Sequence, residues 1–368
     1  SMGKRIAKCN TAVVILSAVA VVIVFLGMMN LSGYALQKMQ IQCPGFGNMM
    51  ITEAVGGICG LLLLVFFGYI KILKEKGEGF LRGFYIGGFM TGYCIYSLYG
   101  QLVLQQASPE TQVEPFVNIV MFLVSMFLVG FGEEVVFRGL ILNLFLDKFG
   151  NEKKGILISV ILSSLLFGAT HSINFFAGVS LGSVLIQMLQ TVLLGMVFAE
   201  IYLLSGNIWI VIIAHALTDV ASLMSAGIFG AGNEIDAINK LSPINLLAIP
   251  IFLVPALILF RRKKLEKLVR RRCGEVVVAS QEEVQQTMTV TLILGILSLV
   301  LSCLGYGAAF GVVGLLGSYT AKKDGATGGM WTAGFVTSLM GTIISVVMMV
   351  GILVMMPYMN NMQGMPTL

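Results

Sequence analysis

Apolar residues run along this chain in long blocks without alternation, separated by short polar stretches that hold most of the charge. Ten blocks approach or exceed the roughly 17 to 25 residues that let a helix cross a hydrocarbon core about 30 Å thick. They fall near 12–36, 48–70, 82–105, 116–144, 156–177, 179–204, 208–227, 243–260, 289–317 and 330–356. Continuous Leu, Ile, Val and Met runs suit helices, whose backbone bonds close internally, rather than the alternating strands of a barrel. The expected fold is all-α: a polytopic membrane helix bundle with an eight-helix core and two C-terminal transmembrane helices. The domain boundaries follow the polarity. Residues 1–272 form the core, 273–288 ("CGEVVVASQEEVQQTM") a polar cytoplasmic linker, and 289–368 an accessory two-helix membrane domain.

Composition supports this. The 368 residues are 57% hydrophobic and 11% charged, against about a quarter charged in an ordinary soluble domain. Lys4, Arg5 and Lys8 precede the first block, Lys71, Lys74, Lys76 and Arg82 flank the second loop, and Lys148, Lys153 and Lys154 the fourth. Together with "RRKKLEKLVRRR" (261–272) they place those loops and the N-terminus in the cytoplasm by the positive-inside rule, in a multi-pass cell-membrane protein. The acidic loop "ASPETQVEP" (107–115) then faces out. Lys322 and Lys323 fall on the outer side in this scheme and are its one misfit. The run at 261–272 reads as a helix end at an anionic membrane surface, where each basic residue contributes about 1 kcal/mol, and not as a nucleic-acid patch. The six cysteines form no CxxC pair, which argues against a disulfide framework or zinc ribbon.

Acidic residues inside apolar blocks carry more information, because an ionisable group costs several kcal/mol there unless it meets a cavity or partner. Five qualify: Glu53, Glu133, Glu134, Glu200 and Asp219. Glu53 and Glu200 lie within about two turns of a block end and are expected to reach the interface. Glu133 and Glu134 come with Arg138. Glu134 and Arg138, four apart with the acid first, share a helix face and can pair. Glu133 is left about 100° around the helix with its charge uncommitted.

The chain has only two histidines, His171 in "LLFGATHSINF" and His215 in "VIIAHALTDV", and both lie in apolar blocks. Asp219 stands one turn after His215 on the same face, Phe167 one turn before His171, and Asn174 just beyond it. An acid pair and two histidines on three separate segments point to a shared polar site. A carboxylate with neutral imidazoles can activate water, Glu133 accepting a proton while a histidine positions the water or returns the proton to a leaving amine. The remaining pair, His215 and Asp219, can stabilise an oxyanion. Alternatively Glu133, His171 and His215 would ligate zinc beside an open water position. Both routes end in hydrolysis. No GxSxG motif suggests a serine nucleophile.

The three motifs "EEVVFR" (133–138), "FGATH" (167–171) and "HALTD" (215–219) resemble the EExxxR, FxxxH and HxxxN/D pattern of the intramembrane CAAX protease and bacteriocin-processing family, also called CPBP or Abi. The resemblance covers roughly 115–225 and implies a membrane-embedded peptidase. In it Glu133 activates water with His171, His215 and Asp219 form the oxyanion side, and Glu134, Arg138, Phe167 and Asn174 support them. It also implies a peptide or lipidated-peptide substrate among the membrane lipids and no cofactor, zinc being the alternative. Asp219 stands where prenyl-processing relatives carry Asn. The C-terminal segment resembles a Gly-rich two-helix bacterial domain, a candidate for binding a membrane partner.

Two other classes compete. A non-catalytic immunity or scaffold protein could keep the motifs for folding, and a transporter could relay protons through the same groups, although no internal repeat supports it. Depth along the helices leaves a mismatch: His215 lies roughly 12 Å and His171 roughly 24 Å from the basic ends of their blocks. Gly130 and Gly132 offer a break before Glu133, and the site is expected in a cavity open to the cytosol.

Overall fold

The computed structural model describes residues 1–108 and 111–363, so Pro109 and Glu110 of the acidic loop and the last five residues of the accessory domain lie outside it. The first half of the chain forms α1 (Met2–Ala7), α2 (Thr11–Lys38), α3 (Gly47–Phe67), α4 (Phe80–Ile86), α5 (Gly88–Gln106) and α6 (Phe116–Glu134). A π-helical turn, Val135–Leu142, carries α6 directly into α7 (Asn143–Phe149). There follow α8 (Lys153–Thr170), a 3-10 turn at His171–Phe175, α9 (Leu181–Ser205), α10 (Ile208–Gly227), α11 (Glu234–Asn239), α12 (Ile249–Leu259) and α13 (Arg262–Arg272). The C-terminal unit is α14 (Gln281–Val300), α15 (Gly307–Lys323) and α16 (Gly329–Gln363).

Eight helical stretches among the described residues are long and apolar enough to span a membrane: α2, α3, α6 through α7, α8 with its turn, α9, α10, α14 and α16. Pro243–Leu259 and α13, bent by 54°, make a ninth if they count as one. The fold is thus the expected all-helical polytopic bundle. The block 82–105 differs. It is split at Gly87, and α5, with three tyrosines and three glutamines, falls short of that apolarity.

Small residues set how closely the central helices approach. α6 packs against α3 on one side and α10 on the other. Gly60 of α3 faces the Val135 and Val136 side chains, and Gly57 faces the Phe131 ring. Gly130 lies so close to α10 that an added Cβ would sit 2.9 Å from the Ile212 carbonyl oxygen and 3.0 Å from the Ala216 amide nitrogen. The break expected at Gly130 and Gly132 is absent: α6 runs straight through both, because these glycines serve close packing. The irregularity comes later, in the π turn.

The block 289–317 is not one span but a hairpin. α14 ends at Val300, Gly305 reverses the chain at φ +80°, and α15 packs back along α14. Mean hydropathy misses this turn because its residues, "LSCLG", are mostly apolar. Three helices therefore make up the accessory unit. α14, α15 and α16 pack chiefly on one another, and α15 also rests on α4 and α5. The last eight residues of the expected linker belong to α14, where Ser280 and Glu283 form a capping box. The hairpin also removes the charge misfit. α15 returns Lys322 and Lys323 to the end of the bundle where Arg82 pairs with Asp324.

That basic end is stitched together by polar contacts. Lys148 Nζ donates to the Cys9 carbonyl (2.5 Å), Tyr69 to Asp147 (2.8 Å), and Lys153 to Glu266 on α13 (2.7 Å). Glu78 joins Arg82 (3.4 Å) to Arg271 (3.1 Å). The run 261–272 is an amphipathic helix that buries Leu265 and Leu268 and leaves most of its charges outside. The start of α10 lies beneath this layer: Asn207 Nδ2 donates to the Lys76 carbonyl and Trp209 Nε1 to that of Leu73. α10 therefore begins inside the protein, recessed from the basic end.

Replacing Gly130 with Ala should force α6 and α10 apart and lower stability by about 1–3 kcal/mol. Gly27→Ala, with nothing within 4 Å of the added Cβ, serves as the control. Thermal unfolding in detergent should separate the two; equal melting temperatures would refute the close-packing role.

Candidate active site

The π turn lies where the first motif ends. Widening the helix frees backbone carbonyls, and π turns recur at functional sites for that reason. Here the Asn143 side chain donates to the Arg138 (3.2 Å) and Gly139 (2.8 Å) carbonyls and to the Tyr202 hydroxyl of α9 (3.1 Å). The turn is thereby fixed, with Arg138 facing the bundle interior at 1% exposure.

Glu134, at 0% exposure, is the hub. Its Oε1 accepts from Arg138 Nη1 (3.1 Å) and from His215 Nδ1 on α10 (2.6 Å). The expected pair Glu134–Arg138 is present, but the same carboxylate also holds His215 through Nδ1, a contact between helices that spacing along the chain does not encode. Asp219 instead meets the other ring nitrogen: its Oδ2 lies 3.3 Å from His215 Nε2 and Glu133 Oε2 lies 3.4 Å from the same atom. Glu133 and Asp219 side chains are 24% and 26% exposed, so these two acids face the opening while Glu134, Arg138 and His215 form the sealed floor.

Aromatic rings hold this floor. Phe198 of α9 stacks on the His215 ring (5.3 Å between centroids, 19°), and Phe167 stands edge-on to both His215 (6.0 Å) and His171 (5.2 Å). The Arg138 guanidinium lies 4.3 Å from the Phe167 ring centre and 5.7 Å from that of Phe198. Its Nη2 has no hydrogen-bond partner, and these ring faces supply the compensating attraction. Gly195 makes the room, since a Cβ there would stand 2.8 Å from Nη2.

His171 lies in the apolar stretch where it is expected, but it opens the 3-10 turn after α8 instead of sitting in regular helix, and it is half-buried. Its Nδ1–H donates to the Phe167 carbonyl (3.0 Å), which in the neutral ring leaves Nε2 as the free acceptor. Asn174 donates to Gln187 Oε1 (2.8 Å), tying the turn to α9. Glu53 is half-buried and close enough to Glu133, Asp219 and Glu234 to interact with their charges. Glu200 does not reach an interface: it is 2% exposed and its Oε2 lacks a partner. Phe198 and Gly195 were not legible in the sequence, being one of 23 phenylalanines and one of 43 glycines in an apolar run.

Both His215 nitrogens face carboxylates, and among the described residues no group of three or more His, Cys, Asp or Glu side chains is arranged to hold a metal ion. The arrangement offers instead a half-exposed carboxylate, a doubly held imidazole and a second imidazole with one free nitrogen.

Residues 115–221 match the family model described as type II CAAX prenyl endopeptidase Rce1-like. The match takes in all three motifs and is consistent with a CPBP family intramembrane protease. No curated protein and no solved structure matches the chain.

Arg138→Ala strands the Glu134 carboxylate at zero exposure and should cost about 3–5 kcal/mol, the usual penalty for removing one partner of a buried pair. Arg138→Lys should recover little, lacking the flat guanidinium that lies against two rings. Unfolding in detergent checks both, and unchanged melting of the alanine variant would show that Glu134 is satisfied in another way.

Proposed function

We propose that the chain is a membrane-embedded endopeptidase that hydrolyses membrane-associated or lipidated peptides with water activated by Glu133. The observation that carries this reading is the division of the acids. Glu134 is spent on Arg138 and His215, whereas Glu133 stands partly exposed beside the held imidazole.

The chemistry then follows the placement. Water sits between Glu133 and His171 Nε2 and attacks the scissile carbonyl carbon as Glu133 takes its proton. The carbonyl oxygen becomes an oxyanion, which the His215 Nε2–H meets. Glu134 on Nδ1 holds that ring in orientation. Asp219 Oδ2, 3.3 Å from the same Nε2, holds the ring from the open side. The intermediate collapses by breaking the C–N bond, and the proton on Glu133 passes to the leaving amine, directly or through His171. No step needs a metal ion, in keeping with the carboxylates on both His215 nitrogens.

Glu133→Gln should lower the cleavage rate of a reporter peptide by about 10²–10⁴, the range for losing a general base, while the purified variant keeps its melting temperature. A fully active variant would remove Glu133 from the chemistry. Treatment with phenanthroline should leave the wild-type rate unchanged, and loss of activity restored by zinc would replace this route with the metal-dependent one.

A further inference from the structure

The face through which substrate reaches the site can be read from α10. Successive positions on the His215 stripe are Ile208, Val211 and Ile212 toward one end and Asp219 and Ser222 toward the other. The first three have no exposed surface, Asp219 is 26% exposed at its side chain, and Ser222 is exposed. The π turn seals the same side, since every residue from Val135 to Leu142 is buried. His171 and its exposed neighbours Ser172 and Ile173 lie at the end of α8 away from Lys153 and Lys154. Beyond Ser222, α11 bridges from α10 to the start of α9: Asn239 accepts from the Ser180 amide (2.9 Å), and the Leu241 carbonyl from Ser183 (2.9 Å). The exposed Glu234 at the start of α11 is close enough to Asp219 to interact with its charge.

The sealed end is also the basic end. Of the 23 Lys and Arg residues, only Lys38 and Lys240 lie at the opposite end, with Arg138 in the core. Basic loops stay in the cytoplasm. We infer that the catalytic cleft opens to the outer face of the membrane beneath α11, and that its substrates are peptide segments presented on that face. This reverses the cytosolic opening expected from the sequence, and it rests on the hydrolytic function proposed above.

Cysteine labelling tests the inference without relying on activity. With Cys9, Cys43, Cys59, Cys273 and Cys303 replaced by Ser, single cysteines are introduced as Ser222→Cys in the cleft, Glu234→Cys at its rim and Lys154→Cys at the basic end. A membrane-impermeant maleimide added to intact cells should label the first two to the extent seen in permeabilised cells. Lys154→Cys should label only after permeabilisation. The inference is overturned if Ser222→Cys labels only in permeabilised cells, if it labels in neither, or if Lys154→Cys labels in intact cells. Should the cysteine-replaced background fail to fold, trypsin added outside spheroplasts that carry the wild-type chain gives the same reading: cleavage at the exposed Lys240 supports it, and cleavage within 261–272 overturns it. A purified protein that cleaves no peptide would remove the hydrolytic reading and leave the labelling pattern as it is, so the two failures are distinguishable.

Discussion

A carboxylate with no exposed surface must find all its compensation inside the protein, and Glu134 finds it on two helices at once. Arg138 lies one turn along its own helix and His215 across the gap to α10. Exposed ion pairs such as Arg262–Glu266 on α13 are screened by water and add little. Losing a partner within a buried pair costs about 3–5 kcal/mol, enough to dictate geometry. The close contact of α6 and α10 at Gly130, the space left by Gly195 and the two ring faces against the guanidinium all bring that pair into place. Remove Glu134, and these features lose their common purpose.

The π turn belongs to the same requirement. A regular helix after Glu134 would make every backbone bond locally and leave Asn143 nothing to hold. The wider turn exposes carbonyls at Arg138 and Gly139, which Asn143 satisfies while it also reaches Tyr202 on α9. A backbone irregularity is thereby converted into a tie between two helices that flank the site. The two carbonyls that Asn143 takes up are thereby not left stranded, as a hydrocarbon core requires.

What the sequence reveals about this site is what local spacing can encode. Glu134 and Arg138 at four residues, His215 and Asp219 at four residues, and Phe167 ahead of His171 were all legible, and each of the three pairs is close in space. Contacts across helices were not. Nothing in "HALTD" shows that His215 takes its orienting acid from α6, and nothing marks Phe198 as the ring beneath it. The fold shows the same limit. Long apolar runs disclosed the helices, but the hairpin at Leu301–Gly305 escaped because its turn is built from apolar and small residues that hydropathy averages into a span. Once the hairpin is known, Lys322 and Lys323 join the other basic loops, and only the isolated Lys38 and Lys240 remain at the opposite end.

Charge counting separates the buried acid of the site from the two partly exposed ones. The floor and rim hold three carboxylates, Glu133, Glu134 and Asp219, against at most two cations, Arg138 and a protonated His215. One negative charge is therefore left over, or one carboxyl keeps a proton. Glu134 is the compensated one, because both cations touch it at zero exposure. The surplus falls on Glu133 and Asp219, which share a single imidazole nitrogen at the open side of the site. A network that neutralises its buried member and leaves its partly exposed members one charge short concentrates its uncompensated negative charge at the open side of the site, and nowhere deeper.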